Sequence, residues 1–157
     1  MMDSRFKFIT ITEDIFRQLG FNPPEMNHDK FLPLAMELEI EKIDFELIHS
    51  TIERPEEMIV LAKIDEIQLD DKKNILTNLM KINLELARNY SGCFGVDPNS
   101  KNVIYLTSRT LEKLDGVQLL LELREISLEI KNWIIKLLEF NNDQISKNEM
   151  SVSFSLA

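Results

Sequence analysis

From Leu34 to His49 the chain alternates apolar and polar residues almost without a break, LAMELEIEKIDFELIH. Leu34, Met36, Leu38 and Ile40 point one way, with Glu37, Glu39 and Glu41 on the other side. Ile43, Phe45 and Leu47 continue the pattern against Asp44 and Glu46. A period of two belongs to strands with one buried face. A slip of one residue would turn every side chain to the wrong face. The change from even to odd positions at Glu41-Lys42 therefore marks a tight hairpin turn. Whatever else the chain does, it must build a sheet and supply a core for one side of it.

The STIERPEE segment makes a second connection. Met58 to Ile67 is apolar on both faces over Ile59 to Leu61, which suits a more central strand. Short links make these three strands antiparallel. A further hairpin lies in CFGVDPNSKNVIYL. Cys93 to Val96 is a short strand, Asp97-Pro98-Asn99-Ser100 has the residues a turn requires, and Asn102 to Ser108 returns.

Three helices complete the chain. Phe8, Ile11, Ile15 and Leu19 form one face, closed by Gly20 and then by Asn22, Pro23 and Pro24. The β-branched run ITIT works against this helix. Asp70 and Asp71 can cap the second helix. Its first stripe is Ile75, Leu79, Ile82 and Leu86, widened by Leu76, Met80 and Ala87. So wide a stripe buries two surfaces, one on the sheet and one on something else, such as a second subunit. Asp115 caps the longest helix, where Leu119, Leu123, Ile126, Ile130, Trp133 and Leu137 follow at helical spacing. Residues 1–140 read as one domain, and 141–157 as a polar, flexible tail. Val152, Phe154 and Leu156 alternate at the very end, too briefly to assign a strand. The predicted class is α+β: one antiparallel five-stranded twisted sheet with three helices, in the order α-β-β-β-α-β-β-α.

Charge narrows the partners. The chain carries 27 acidic and 18 basic side chains, a net of -9. A nucleic acid or an anionic membrane meets net repulsion, and no Lys/Arg cluster overrides it locally. Basic or apolar partners suit such a surface. No apolar run approaches the ~20 residues that span a bilayer, and the N-terminus has no secretory core. The single cysteine fits a reducing cytoplasm.

Signals for chemistry are weak. His28 and His49 are the only histidines, and neither has a second ligand at metal spacing. Cys93 reads as a small buried apolar strand residue. The four glycines form no phosphate loop. The Glu37/Glu39 and Asp70/Asp71 pairs are accounted for by a solvated strand face and a helix start. No catalytic residue, metal or cofactor is expected.

The segments FLPLAMELEIEKIDFELIH, MIVLAKIDEI and NLMKINLELARNYSGCFGVDPNSKNVIYLTSRTL carry a resemblance. An apolar helix with an Asn near its middle is followed by small residues, a strand ending in a turn, and an apolar strand leading to Arg and Leu. Asn83, Ala87, Gly92, Gly95, Asp97, Leu106, Arg109 and Leu111 supply that string. From about Phe8 to Phe140 the chain resembles the class I type III secretion chaperones, the Tir chaperone (CesT-like) family. The tail after Phe140 and the irregular first helix depart from it. The resemblance implies a cytoplasmic homodimer of a Gram-negative bacterium, without catalytic activity. It would bind an extended N-terminal segment of a secreted effector and deliver it to the secretion machinery.

Strand addition at an open sheet edge gives that role a mechanism. The expected guest contacts are Phe8, Ile11 and Ile15 of the first helix with Leu34, Met36 and Leu38 of the first strand. Self-association is expected through the second helix, at Leu79, Ile82, Asn83 and Leu86. A non-chaperone α+β binding or regulatory domain, and a small enzyme built around His49 or Cys93, remain as alternatives from the residues alone.

Overall fold

The computed structural model describes residues 3–27, 29, 31–64, 72–89 and 91–153, with side chains left undescribed at 72–74 and 141–153. The elements are α1 (Ser4–Gln18), β1 (Leu34–Ile40), β2 (Ile43–His49), β3 (Glu57–Ile64), α2 (Lys72–Arg88), β4 (Cys93–Val96), β5 (Val103–Thr110) and α3 (Gly116–Ser153). Their order is the one expected. The strands form one sheet, β1-β2-β3-β5-β4, antiparallel at every step.

The alternation fixes which face is buried. Leu34, Met36 and Ile40, then Ile43, Phe45 and Leu47, then Met58, Val60, Ala62 and Ile64, and finally Phe94, Val103 and Tyr105 lie on one side and are buried. The helices close that side: Phe8, Ile11 and Ile15 of α1, Ile75, Leu79, Ile82 and Leu86 of α2, and Leu119, Leu123, Ile126, Ile130 and Leu137 of α3 join the same core. Each such Leu or Ile contributes ~1.5–3 kcal/mol by leaving water. Among the described residues no helix covers the opposite face; Ala35, Glu37, Glu39, Asp44, Leu106 and Ser108 are exposed on it.

The turns behave as their residues dictate. Ile40 pairs with Ile43, so Glu41 and Lys42 form a two-residue turn with φ of 53° and 65°. Two positive φ values are what such a turn needs to match the strand twist. At the second hairpin Asp97 Oδ1 accepts from the Asn99 N–H (2.8 Å) and Oδ2 from the Ser100 hydroxyl (2.9 Å). These two bonds hold the Asp97 carboxyl below the usual carboxylate range.

α1 tolerates its threonines because their hydroxyls turn back onto the helix: Thr10 donates to Phe6 O and Thr12 to Phe8 O. Gly20 follows the helix at φ 81°. Asp115 caps α3 by accepting from the Gln118 N–H at 2.8 Å. At Gly116 a Cβ would lie 2.5 Å from Asp14 Cβ, so the start of α3 can approach α1 only without a side chain.

One element extends the sequence reading. α3 continues past Phe140 to Ser153, taking in Val152. Phe154 and Leu156, the capping pair Asp70 and Asp71, and the end of the third strand to Ile67 lie outside the described residues, as does His28.

Candidate functional site

A five-stranded sheet that does not close has two edges, and here they differ. β4 is short, and Asn83 of α2 covers its outer side. The Asn83 Nδ2 donates to Phe94 O (2.8 Å) and its Oδ1 accepts from the Phe94 N–H (2.7 Å). One side-chain amide thus replaces a missing neighbouring strand at that residue. Among the described residues, β1 pairs with β2 as its only strand neighbour over seven residues, and Ser127 of α3 donates to Ile40 O at its end. Among the described residues, no backbone hydrogen bond joins β1 to the connection that precedes it.

In that connection Pro24 to Asn27 lie beside β1 and leave a groove of about 290 Å³. Pro24, Met26, Pro33, Leu34 and Met36 line it, together with Glu25 and Glu37. A second hollow of about 490 Å³ lies between the connection and α1, against Ile9 and Glu13. Arg5 holds this wall in place. Its side chain is buried, Nη1 donates to Leu32 O at 2.8 Å, and Nη2 donates to Asn27 O.

The outer face beside this edge is acidic. Glu37 pairs in register with Glu46, and Glu39 with Asp44. Lys63 of β3 reaches across, with Nζ 2.6 Å from Glu37 and 3.7 Å from Glu46. The Lys63 bond lowers the Glu37 pKa, and the same bond raises that of Lys63. Glu39 and Asp44 form no ion pair with a described residue.

The expected guest contacts are near this edge but mostly inside the core. Phe8, Ile11, Ile15, Leu34 and Met36 are buried, and Leu38 is half-buried against the core. Leu34 and Met36 still line the groove. Exposed apolar groups of the same region are Phe6 (56 %), Phe31 (79 %) and Leu32 (48 %). Their signal in the sequence was phase: Phe6 stands off the α1 stripe, and Phe31 and Leu32 precede the strand.

On α2, Leu79, Ile82 and Leu86 face the sheet and are buried, while Asn83 is committed to Phe94. The face left outward is Leu76, Met80 (73 % exposed) and Leu84 (59 %). Leu76 and Met80 are two of the residues that widen the stripe in the sequence; Leu84 lies outside it.

His49 and Cys93 are not brought together. His49 is buried on the inner face, stacked on Phe8 with ring centroids 5.4 Å apart, its Nδ1 3.0 Å from Glu57 O. Cys93 is exposed on β4, not buried as its reading as a strand residue implied, with β3 and β5 between the two strands. Among the described residues no group of His, Cys, Asp or Glu is arranged to hold a metal. No helix there is long and apolar enough to cross a membrane. Arg109, one of the residues behind the resemblance, joins β5 to α3 through Glu122 at 2.7 Å. Leu111, another, is buried.

These features define a two-layer α+β protein with helices on one side of its sheet, one edge capped and one open. The chain belongs to the Tir chaperone protein (CesT) family, whose model matches residues 12–133. Among curated proteins no sequence matches it. Its fold is similar to solved chains of three complexes. For the ExsC–ExsE complex the TM-score is 0.56 at 20 % identity, covering 80 % of this chain and 93 % of that one. For the HopA1–SchA chaperone–effector complex it is 0.51 at 16 %, covering 88 % and 96 %. For the ExoT–SpcS complex from Pseudomonas aeruginosa it is 0.50 at 15 %, covering 80 % and 96 %.

Proposed function

We propose that the protein is a cytoplasmic chaperone of type III secretion that binds an extended N-terminal segment of a secreted effector and acts as a homodimer. Family membership supports the chaperone role and a function without catalysis. The observation that carries the binding mode is the open β1 edge with the groove beside it. An extended segment can satisfy the free backbone groups of β1 and place alternate side chains in the groove. Burying a Leu-sized side chain gives ~2 kcal/mol, against an ordering cost of ~1–2 kcal/mol per backbone residue. Strand bonds and several pockets are needed together, so the bound segment should be long. Phe6, Phe31 and Leu32 offer it further apolar contact, with Leu38 at the edge itself. Phe8, Ile11, Ile15, Leu34 and Met36 then form the packed floor beneath the guest.

Self-association falls to α2 through Leu76, Met80 and Leu84, with Leu79, Ile82, Asn83 and Leu86 holding the helix against the sheet. The interface would be isologous, the same face of each copy meeting. A bound segment handed to the secretion machinery completes the role.

The test is co-expression with the N-terminal segments of secreted proteins encoded at the same locus, followed by limited proteolysis of the purified complex. The expected result is a retained, protease-protected segment that is unstructured when alone. Retention of only a folded domain, or of none of these segments, would contradict the proposal and favour a regulatory domain on the same scaffold.

A further inference from the structure

We infer that the β1 edge selects a cationic guest: a segment whose side chains alternate apolar and Lys or Arg. This rests on the reading that the edge accepts an extended chain, and it adds what that chain must carry. A strand laid beside β1 shares its pleat, so its side chains alternate between the two faces of the sheet. On the inner face they meet the apolar side chains of Leu34 and Met36, with Met26 and Pro33 in the groove wall beside them. On the outer face they meet Ala35, Glu37 and Glu39, all exposed.

Behind Glu37 and Glu39 stand Glu46 and Asp44, their register partners on β2. Four carboxylates thus form a block two strands wide. Lys63 is placed opposite Asp44 and bonded to Glu37, and Lys42 and Lys131 line a hollow together with Asp44. The adjoining turn adds Glu41 and Lys42, which offset each other, and the groove wall adds Glu25. Lys63 supplies a cation from the third strand, so Glu37 is partly answered while Glu39, nearer the turn, is not. Like charges placed opposite each other across strands are unfavourable and opposite charges favourable. The edge therefore rejects a second copy of itself, which would set Glu37 and Glu39 against the same carboxylates. It rejects an anionic strand for the same reason. This also explains how a seven-residue edge can stay open without joining another copy edge to edge.

Three labelled peptides, alternating Val with Lys, Val with Ser, or Val with Glu, test this by fluorescence anisotropy on the full chain. The Lys peptide should bind tightest and the Glu peptide weakest, with Lys over Ser on the order of fivefold. The gap should narrow as salt rises. The double variant Glu37→Lys/Glu39→Lys, at two exposed positions, should reverse the Lys and Glu peptides. The single variant Lys63→Gln should widen the original preference. Equal binding of all three, or an order that survives the reversal, would overturn charge selection while leaving the open edge intact. Binding of none of them would overturn both.

Discussion

The two edges of the sheet solve one problem in opposite ways. Each ends in a row of backbone groups that a neighbouring strand could use. At β4 the row is four residues long, and Asn83 satisfies the outward N–H and C=O of Phe94. At β1 it is seven long and open, bordered by a groove and an acidic face. The capped edge is anchored to the helix that we assign to self-association. The open edge lies across the sheet from it, at the far end of the strand order. A protein that must hold itself together on one side and admit a foreign chain on the other gains from this asymmetry.

The sharpest way to break the comparison is on α2. Ile82→Lys would bury a charge against the sheet and should cost more than ~4 kcal/mol, enough to unfold a small domain. Met80→Lys, two residues away on the outward face, should leave the thermal midpoint nearly unchanged and turn a dimer into a monomer by light scattering. A Met80 variant that stayed dimeric would remove this face from the interface. Next in size is Asn83→Ala, which strands two backbone groups of Phe94. Urea denaturation should show a loss of roughly 1–3 kcal/mol. An unchanged midpoint would mean that the β4 edge needs no cap. Arg5→Met should leave the sheet intact and weaken guest binding by freeing the groove wall at Asn27 and Leu32; equal affinity would show the wall to be unimportant.

The smallest effect concerns the Lys63–Glu37 pair. The carboxyl has a lowered pKa in the folded chain, so its contribution is present above the ordinary glutamate range and is lost as pH falls through the folded value. The ammonium has a raised pKa, so its contribution is present below the ordinary lysine range and is lost as pH rises through the folded value. Stability of the wild type compared with Lys63→Gln should therefore differ most between these two limits and converge beyond each. The pair is solvent-exposed, so the difference should be slight.

Much of this was legible in the residues, because period carries direction. Alternation in β1 and β2 gave the strands, the hairpin and the buried face, since one face of a sheet must leave water. The Leu119–Leu137 spacing gave the core face of α3 for the same reason. Pattern alone could not say which of two apolar stripes on one helix would meet the sheet. Ile82 and Met80 are both apolar, and only the packed chain separates them. The same ambiguity placed Phe8, Ile11 and Ile15 among guest contacts when they are the floor of the domain. On α3, Val117, Leu121, Leu128 and Ile135 are exposed beside the buried stripe. Asn83 belongs to the string that carries the family resemblance, but its work depends on a strand that lies eleven residues further on at Phe94. Such a long-range bond leaves no periodic mark. The groove was equally invisible, because its wall is a loop held by Arg5 through carbonyl groups that every residue possesses.

Amide hydrogen exchange, followed with and without a bound effector segment, tests the asymmetry most directly. Amides of Leu34–Ile40 should become markedly slower to exchange in the complex, while those of Cys93–Val96 stay as they were. Protection gained along β4 with none along β1 would contradict the account.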